Sequence, residues 1–127
     1  MTGVQTCALP IYECSPYTLT NVYGELLYRK QIFDPDEYLI YKKYYSEIGW
    51  NPDVIIYLYC HPSVCYERCR RMNMDVNITM NRIIEIHTQH ELIMDEINCP
   101  IALYKVNAQE DIECVVNNVT DIVCKLS

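Results

Sequence analysis

Three arginines near the middle of the chain are the residues best suited to chemistry. Arg68, Arg70 and Arg71 end a predicted helix that Pro62 opens, directly after the apolar run Val54–Tyr59. They are three of only five arginines in a protein of formal net charge −7. A guanidinium group matches the geometry of a phosphate, so this clustering predicts an anion site, with phosphate as the first candidate. The alternative is a solvated helix end, where cations offset the helix dipole.

The elements that must position these arginines alternate between strands and helices. Val54–Tyr59 is too short and too apolar for a typical helix and predicts a parallel strand buried on both faces. Serine or aspartate followed by proline marks two helix starts. Glu37 completes a capping box at the second of these starts, and Gly49 is expected to end that helix. The other predicted elements are helices from Ser15-Pro16, from Asp34-Pro35, over Thr79–Ile97 and over Asp111–Leu126, and a strand over Ile101–Val106.

This alternation predicts the α/β class with a parallel sheet. Sheets of this kind bind ligands beyond the carboxyl ends of their strands. Three segments are expected to meet there: Glu13–Ser15, the arginine-bearing helix after Cys60, and Asn107–Asp111.

Composition narrows the class of protein. The 127 residues fit one domain, and half of them are apolar. A net charge of −7 argues against a nucleic-acid polymer or an anionic membrane surface as the main partner. No apolar stretch approaches the roughly 18 residues of a membrane-spanning helix. The eight cysteines include no CxxC pair, which favours reduced thiols and a cytoplasmic location.

The first eleven residues are expected not to belong to the fold. Gly3–Ile11, GVQTCALPI, reads as the translation of a common sequencing-library adapter. We therefore predict an artefactual segment over 1–11 and a partial domain over 12–127, with natural sequence missing upstream of Tyr12. The alternative is an ordinary N-terminal strand that happens to have this sequence.

Several motifs in order resemble the deoxynucleoside kinase family. Glu13-Cys14-Ser15 is similar to that family's Glu-Arg-Ser motif, and Asp53–Arg68 is similar to the strand and helix that lead into its lid. Ile83–Glu91 resembles its leucine-His-x-x-His-Glu helix, and Val106–Asp111 resembles the loop that passes the adenine of ATP. The resemblance implies a P-loop-kinase-like, three-layer parallel sheet, truncated at its N-terminus.

The resemblance also implies a reaction and roles for individual residues. ATP would donate its γ-phosphoryl group to the 5′-hydroxyl of a deoxynucleoside with Mg²⁺, and positioning and charge neutralisation would do most of the catalysis. By this resemblance, Glu13 would lie near Mg²⁺ and the reacting phosphates, and Arg68 would contact phosphate, with Arg70 and Arg71 in the lid. Tyr23 would pack against the substrate base, and Asp75 would lie near the sugar. Asn107 and Asp111 would lie along the adenine of ATP.

The chain also departs from the family pattern. The phosphate loop, GxxxxGK followed by Ser or Thr, does not occur in the 127 residues. Cys14 stands where an arginine is expected, and Met72 and Met74 replace two lid arginines. We therefore expect this chain to be inactive alone and its parent to be a homodimeric enzyme. The alternatives are a thymidylate or other nucleoside-monophosphate kinase, and a non-catalytic nucleotide-binding homologue.

Two further sets of residues have competing interpretations. His87 and His90, with Glu91 adjacent, have the spacing of metal ligands on a helix. No third ligand follows at a recognisable spacing, and both histidines lie on apolar faces, which favours a structural role. Cys14 could be a nucleophile, but no partner histidine is evident. A substituted or buried thiol is therefore favoured.

Overall fold

A computed structural model describes residues 13–73, 77–97 and 100–126, which fold into five helices and two parallel strands. Helix α1 is built from three consecutive segments, and each of the other elements is a single run. The bounds are α1 Pro16–Thr18, Leu19–Gly24 and Glu25–Arg29; α2 Pro35–Ile48; β1 Val54–Tyr59; α3 Pro62–Arg71; α4 Met80–Glu96; β2 Ala102–Asn107; and α5 Ile112–Leu126. The predicted order of elements is confirmed, and the predicted segments 1–11 and Tyr12 lie outside the described residues.

The predicted helix starts are confirmed by their hydrogen bonds. The amide of Thr18 donates to the hydroxyl of Ser15 at 3.3 Å, which caps α1. At α2, the amide of Glu37 donates to Asp34 at 2.8 Å and the amide of Asp34 donates back to Glu37 at 2.9 Å. Gly49 ends α2 in an extended conformation, with φ −74°, rather than the left-handed one usual for glycine.

The two strands pair in parallel, from Val54 opposite Ala102 to Tyr59 opposite Asn107. This pairing confirms the parallel α/β class. The prediction that β1 is buried on both faces is wrong for the described residues, because Leu58 is 50% exposed where no described element covers it. The described residues define two strands, and the three-layer sheet stays a prediction.

The core lies between α1 and α4. Val22 is completely buried and packs with Leu26 and Ile93, while Tyr23 and Ile86 lie at its margin. This packing fixes α1 against α4 and thereby sets the direction of the side chains at the amino end of α1.

None of the described helices combines the length and apolarity needed to cross a membrane.

The middle segment of α1, Leu19–Gly24, is a π-helix. Side chains from other helices donate hydrogen bonds to two of its backbone carbonyls. The hydroxyl of Tyr41 donates to the carbonyl of Leu19 at 3.2 Å, and the buried amide of Gln89 donates to the carbonyl of Asn21 at 2.9 Å. These donors from α2 and α4 stabilise a form that is rare and frequently found at functional sites.

Candidate functional site

Arg68 lies where the carboxyl ends of the two strands meet. Its Nη1 atom donates to the carbonyl of Ala108 at 2.6 Å, directly beyond β2. The amide of Ala108 donates to the carbonyl of Tyr59 at 2.8 Å, and the amide of His61 donates to the side chain of Gln109 at 2.8 Å. The turn after β2 is therefore bound both to the end of β1 and to the arginine-bearing helix. We call this region the carboxyl edge.

Asn107 and Asp111, the predicted adenine-loop residues, both stabilise the turn at the carboxyl edge. The side chain of Asn107 accepts a hydrogen bond from the amide of Gln109 at 2.9 Å. The side chain of Asp111 accepts one from the amide of Cys114 at 2.8 Å, which caps α5. The structure thus brings this loop and Arg68 together, as the strand order predicts.

The other arginines of α3 lie in its last turn and are exposed. The guanidinium group of Arg70 lies over the ring of Tyr66, 5.7 Å from its centroid. Arg71 and the C-cap Met72 follow it, and Met72 is exposed as well. The carboxyl-terminal turn of α3, which carries Arg70 and Arg71, is therefore open to solvent. Asp75 and Met74 lie outside the described residues.

A second group of predicted residues precedes α1. Glu13 is exposed, and Cys14 has φ 67°, in the left-handed region that few residues other than glycine adopt. Cys14 is exposed, but the loss of some of its hydration raises the pKa of its thiol, and the charge of Glu13 raises it further, while the hydrogen bond from the Ser15 backbone lowers it. A thiol held in its neutral form does not supply the positive charge of the arginine expected there.

Tyr23 is held by a row of rings. Its ring meets His90 edge-on with centroids 5.9 Å apart, and His90 stacks on Tyr57 at 6.0 Å with planes 4° apart. The hydroxyl of Tyr57 donates to Glu91 Oε1 at 2.8 Å, which links β1 to α4. Burial raises the pKa of Tyr57, and the hydrogen bond from its hydroxyl to Glu91 raises it further. Tyr57 and Glu91 therefore position His90, and His90 positions Tyr23.

His90 and Glu91 thus have packing partners in the fold, in line with the structural interpretation. The Nδ1 atom of His90 also lies 2.8 Å from the carbonyl of Ile86, one turn earlier in α4. The part played by Tyr57 was missed from the sequence. The sequence offered only a general indication, namely that the hydroxyl of a buried tyrosine usually has a hydrogen-bond partner.

Arg82 is a second residue that the sequence analysis missed. Burial raises the pKa of Tyr23 and the Cys14 thiol raises it further, while the charge of Arg82 lowers it. Arg82 also pairs with Glu85 at 3.5 Å. No motif in the sequence marks this arginine, because its effect on Tyr23 depends on the packing of α4 against α1.

The predicted site residues therefore fall into two groups. Arg68, Asn107 and Asp111 share the carboxyl edge. Glu13 directly precedes Cys14 at the start of α1, and its meeting with the other two segments at this edge stays a prediction. Within the described ranges, no ion pair joins Glu13 to Arg68. In the same ranges, no three His, Cys, Asp or Glu side chains form a set that could hold a metal ion. Mg²⁺ is often held by one or two carboxylates together with waters and phosphate oxygens, and the role of Glu13 near such an ion stays a prediction.

Comparison with known proteins places the chain in a family. A family model described as deoxynucleoside kinase matches residues 2–126. A relative is the protein named "Putative kinase protein 029R" of Invertebrate iridescent virus 3, which is 24% identical over 116 residues. That alignment covers 91% of this chain and 60% of the relative, so the chain spans less than two thirds of the relative's length. The chain therefore belongs to the deoxynucleoside kinase family.

Proposed function

We propose that the full-length protein transfers the γ-phosphoryl group of ATP to the 5′-hydroxyl of a deoxynucleoside, with Mg²⁺. The observation that carries the proposal is the place of Arg68, at the carboxyl edge where α/β sheets bind ligands. Family membership supports the same activity. The proposal includes a role in nucleotide salvage in the cytoplasm.

Arg68 would contact phosphate through the N–H groups that its bond to Ala108 leaves available. A guanidinium group carries five such donors, and the hydrogen bond at 2.6 Å uses one and fixes the side chain. Fixed donors cost little reorganisation when charge develops on a phosphoryl group. Arg70 and Arg71 would add positive charge from the exposed last turn of α3. ATP supplies the phosphoryl group when bound.

Tyr23 and Glu13 would act at the start of α1. The ring of Tyr23 is held by His90 and lies on the π-helical segment, which suits it to pack against a base. Glu13 is exposed and would contribute a carboxylate near the metal and the phosphates.

Arg82 would supply the positive charge that Cys14 lacks. The charge of Arg82 lowers the pKa of Tyr23, the same phenol whose pKa the Cys14 thiol raises. An arginine reaching this place from α4 would be a compensation for the departure at Cys14.

The alternatives are a nucleoside-monophosphate kinase and a non-catalytic nucleotide-binding homologue. The exposed Cys14 and Met72, at positions where the resemblance expects arginines, favour the second of these. The order of helices and strands does not distinguish a nucleoside-monophosphate kinase from a deoxynucleoside kinase, because the two kinds of enzyme share the fold.

Acceptor choice separates these three functions. Full-length protein is incubated with γ-labelled ATP and Mg²⁺, and with either deoxynucleosides or deoxynucleoside monophosphates. The proposal predicts labelled monophosphate from deoxynucleosides alone, and no transfer by the isolated 127-residue chain. Label only on diphosphates would show a monophosphate kinase. Nucleotide binding without transfer would show the non-catalytic homologue.

The proposed enzyme is a homodimer that pairs through α1 and α2. Helix α2 has no buried residue, and its outer side includes exposed apolar side chains. These are Leu39, Ile40, Tyr44 and Ile48. Sedimentation of the full-length protein tests the pairing: Leu39→Glu should give monomers, while Glu47→Gln on the same helix should not.

A further inference from the structure

Two cysteines meet at the carboxyl end of β1. Cys60 follows the strand directly and is buried, while Cys65 lies one turn into α3. Their sulfur atoms are 2.8 Å apart, and both are free thiols. Because a disulfide bond is about 2 Å long, roughly 1 Å of movement would join them.

We propose that Cys60 and Cys65 form a redox-active dithiol that a peroxide oxidises to an intramolecular disulfide. One sulfur attacks the peroxide, so that an S–O bond forms, the O–O bond breaks, and water or an alcohol leaves. The second sulfur then attacks this sulfenic acid, and an S–S bond forms as a second water leaves. The two thiols lose two protons and two electrons, and the peroxide is reduced.

The other described cysteines do not offer an equivalent pair. Cys69 lies one turn beyond Cys65 on α3 and is the nearest competitor. Cys114 and Cys124 are both on α5, and ten residues of helix separate their backbones by about 15 Å, too far for a disulfide. They therefore serve as an internal control.

The surroundings of the pair restrain its reactivity. Burial raises the pKa of Cys65, and the neighbouring sulfur of Cys60 raises it further, while Arg68 opposes the shift. Since the thiolate is the attacking form, a raised pKa slows the first attack of Cys65 on the peroxide. Transient disulfides of this kind are the ones found in reducing compartments.

The disulfide would tie the end of β1 to the helix that carries Arg68. Cys65 lies three residues before Arg68, so the disulfide would form about one helical turn from the proposed phosphate contact. That consequence for phosphate binding rests on the proposed function. The formation of the disulfide does not, and the test below needs no kinase activity.

Peptide mapping of the full-length protein tests the pair directly. Reduced protein is treated with hydrogen peroxide, alkylated without reduction, and digested with trypsin. Cleavage after Lys43 and Arg68 releases peptide 44–68, whose only cysteines are Cys60 and Cys65, whereas Cys69 falls in the next peptide. We expect peptide 44–68 to lose two hydrogens and to take up no alkyl group until a reductant is added. Peptide 106–125, with Cys114 and Cys124, should stay alkylated at both cysteines.

Variants and a denatured sample test whether the folded structure is what brings Cys60 and Cys65 together. Cys65→Ser should abolish the loss of two hydrogens, and Cys69→Ser should leave it unchanged. In guanidinium chloride, the same oxidation should give a mixture of pairings. Full alkylation of peptide 44–68 after peroxide, or a link from Cys60 to Cys69, would overturn the proposal.

Discussion

Removing the hydroxyl of Tyr57 should weaken the link between β1 and α4 that holds His90. In Tyr57→Phe the stack on His90 is kept, and only the 2.8 Å hydrogen bond to Glu91 is lost. A hydrogen bond to a charged group contributes roughly 1.5–3 kcal/mol. Because both side chains are only half-buried, water takes over part of the bond, and we expect a loss of about 1 kcal/mol in the free energy of unfolding.

A double-mutant cycle measures this bond separately from the rest of each side chain. Urea unfolding at neutral pH, followed by far-UV circular dichroism, is compared for Tyr57→Phe, Glu91→Gln and the double variant. We expect a coupling energy of about 1 kcal/mol, the range of residues in direct contact. Tyr104→Phe on the neighbouring strand is the matched control and should change stability by less than about 0.5 kcal/mol.

The same bond should have a definite pH dependence. Burial, and then the bond to Glu91, raise the folded pKa of Tyr57 above its ordinary value, so the stabilisation by the neutral phenol is fully present below the unfolded pKa of about 10. Its contribution is lost as the pH rises through the higher folded pKa. The stability difference between wild type and Tyr57→Phe should therefore shrink in strong alkali. A coupling energy near zero at neutral pH, or a difference that grows in alkali, would refute the reasoning.

Three further predictions follow from the described residues and the sequence. Val22→Ala should cost about 2 kcal/mol in urea unfolding, because it removes two carbons from a completely buried site. Gln31→Gly should raise stability by up to about 1 kcal/mol in the same assay, because Gln31 has φ 59° at the end of α1. Resequencing of the source DNA across Ile11–Tyr12 should replace the first eleven codons with a continuous upstream frame that encodes GxxxxGK followed by Ser or Thr.

Each of these has a clear contrary result. An unchanged stability for Val22→Ala would mean that α1 and α4 do not form the core, and a destabilised Gln31→Gly would mean that the left-handed turn is not there. A genomic sequence that encodes GVQTCALPI in frame would make the adapter interpretation wrong.

The sequence predicted the elements well because their signals are local. A serine or aspartate cap followed by proline acts within a few residues, and Ser15 and Asp34 cap their helices as expected. The placing of Arg68 beside the turn after β2 was also predictable, because the ends of parallel strands share one edge.

The rest depends on contacts between residues far apart in the chain. The π-helical segment Leu19–Gly24 accepts hydrogen bonds from Tyr41 and Gln89, which lie far away in the chain. The exposure of Leu58 depends on which elements cover the sheet, not on the apolar run itself. The effect of the Arg82 charge on the pKa of Tyr23 likewise depends on how α4 packs against α1.

The central claim is that Arg68 acts on phosphate at the carboxyl edge, and steady-state kinetics of the full-length protein tests it most directly. Arg68→Ala should lower kcat for deoxynucleoside phosphorylation by about 10²–10³-fold, the effect of removing one fixed donor to developing charge. Arg29→Ala, which removes an exposed arginine paired with Glu25 on α1, should leave kcat within about twofold. Circular dichroism shows whether both variants stay folded. A folded Arg68→Ala variant with kcat close to wild type would contradict the account.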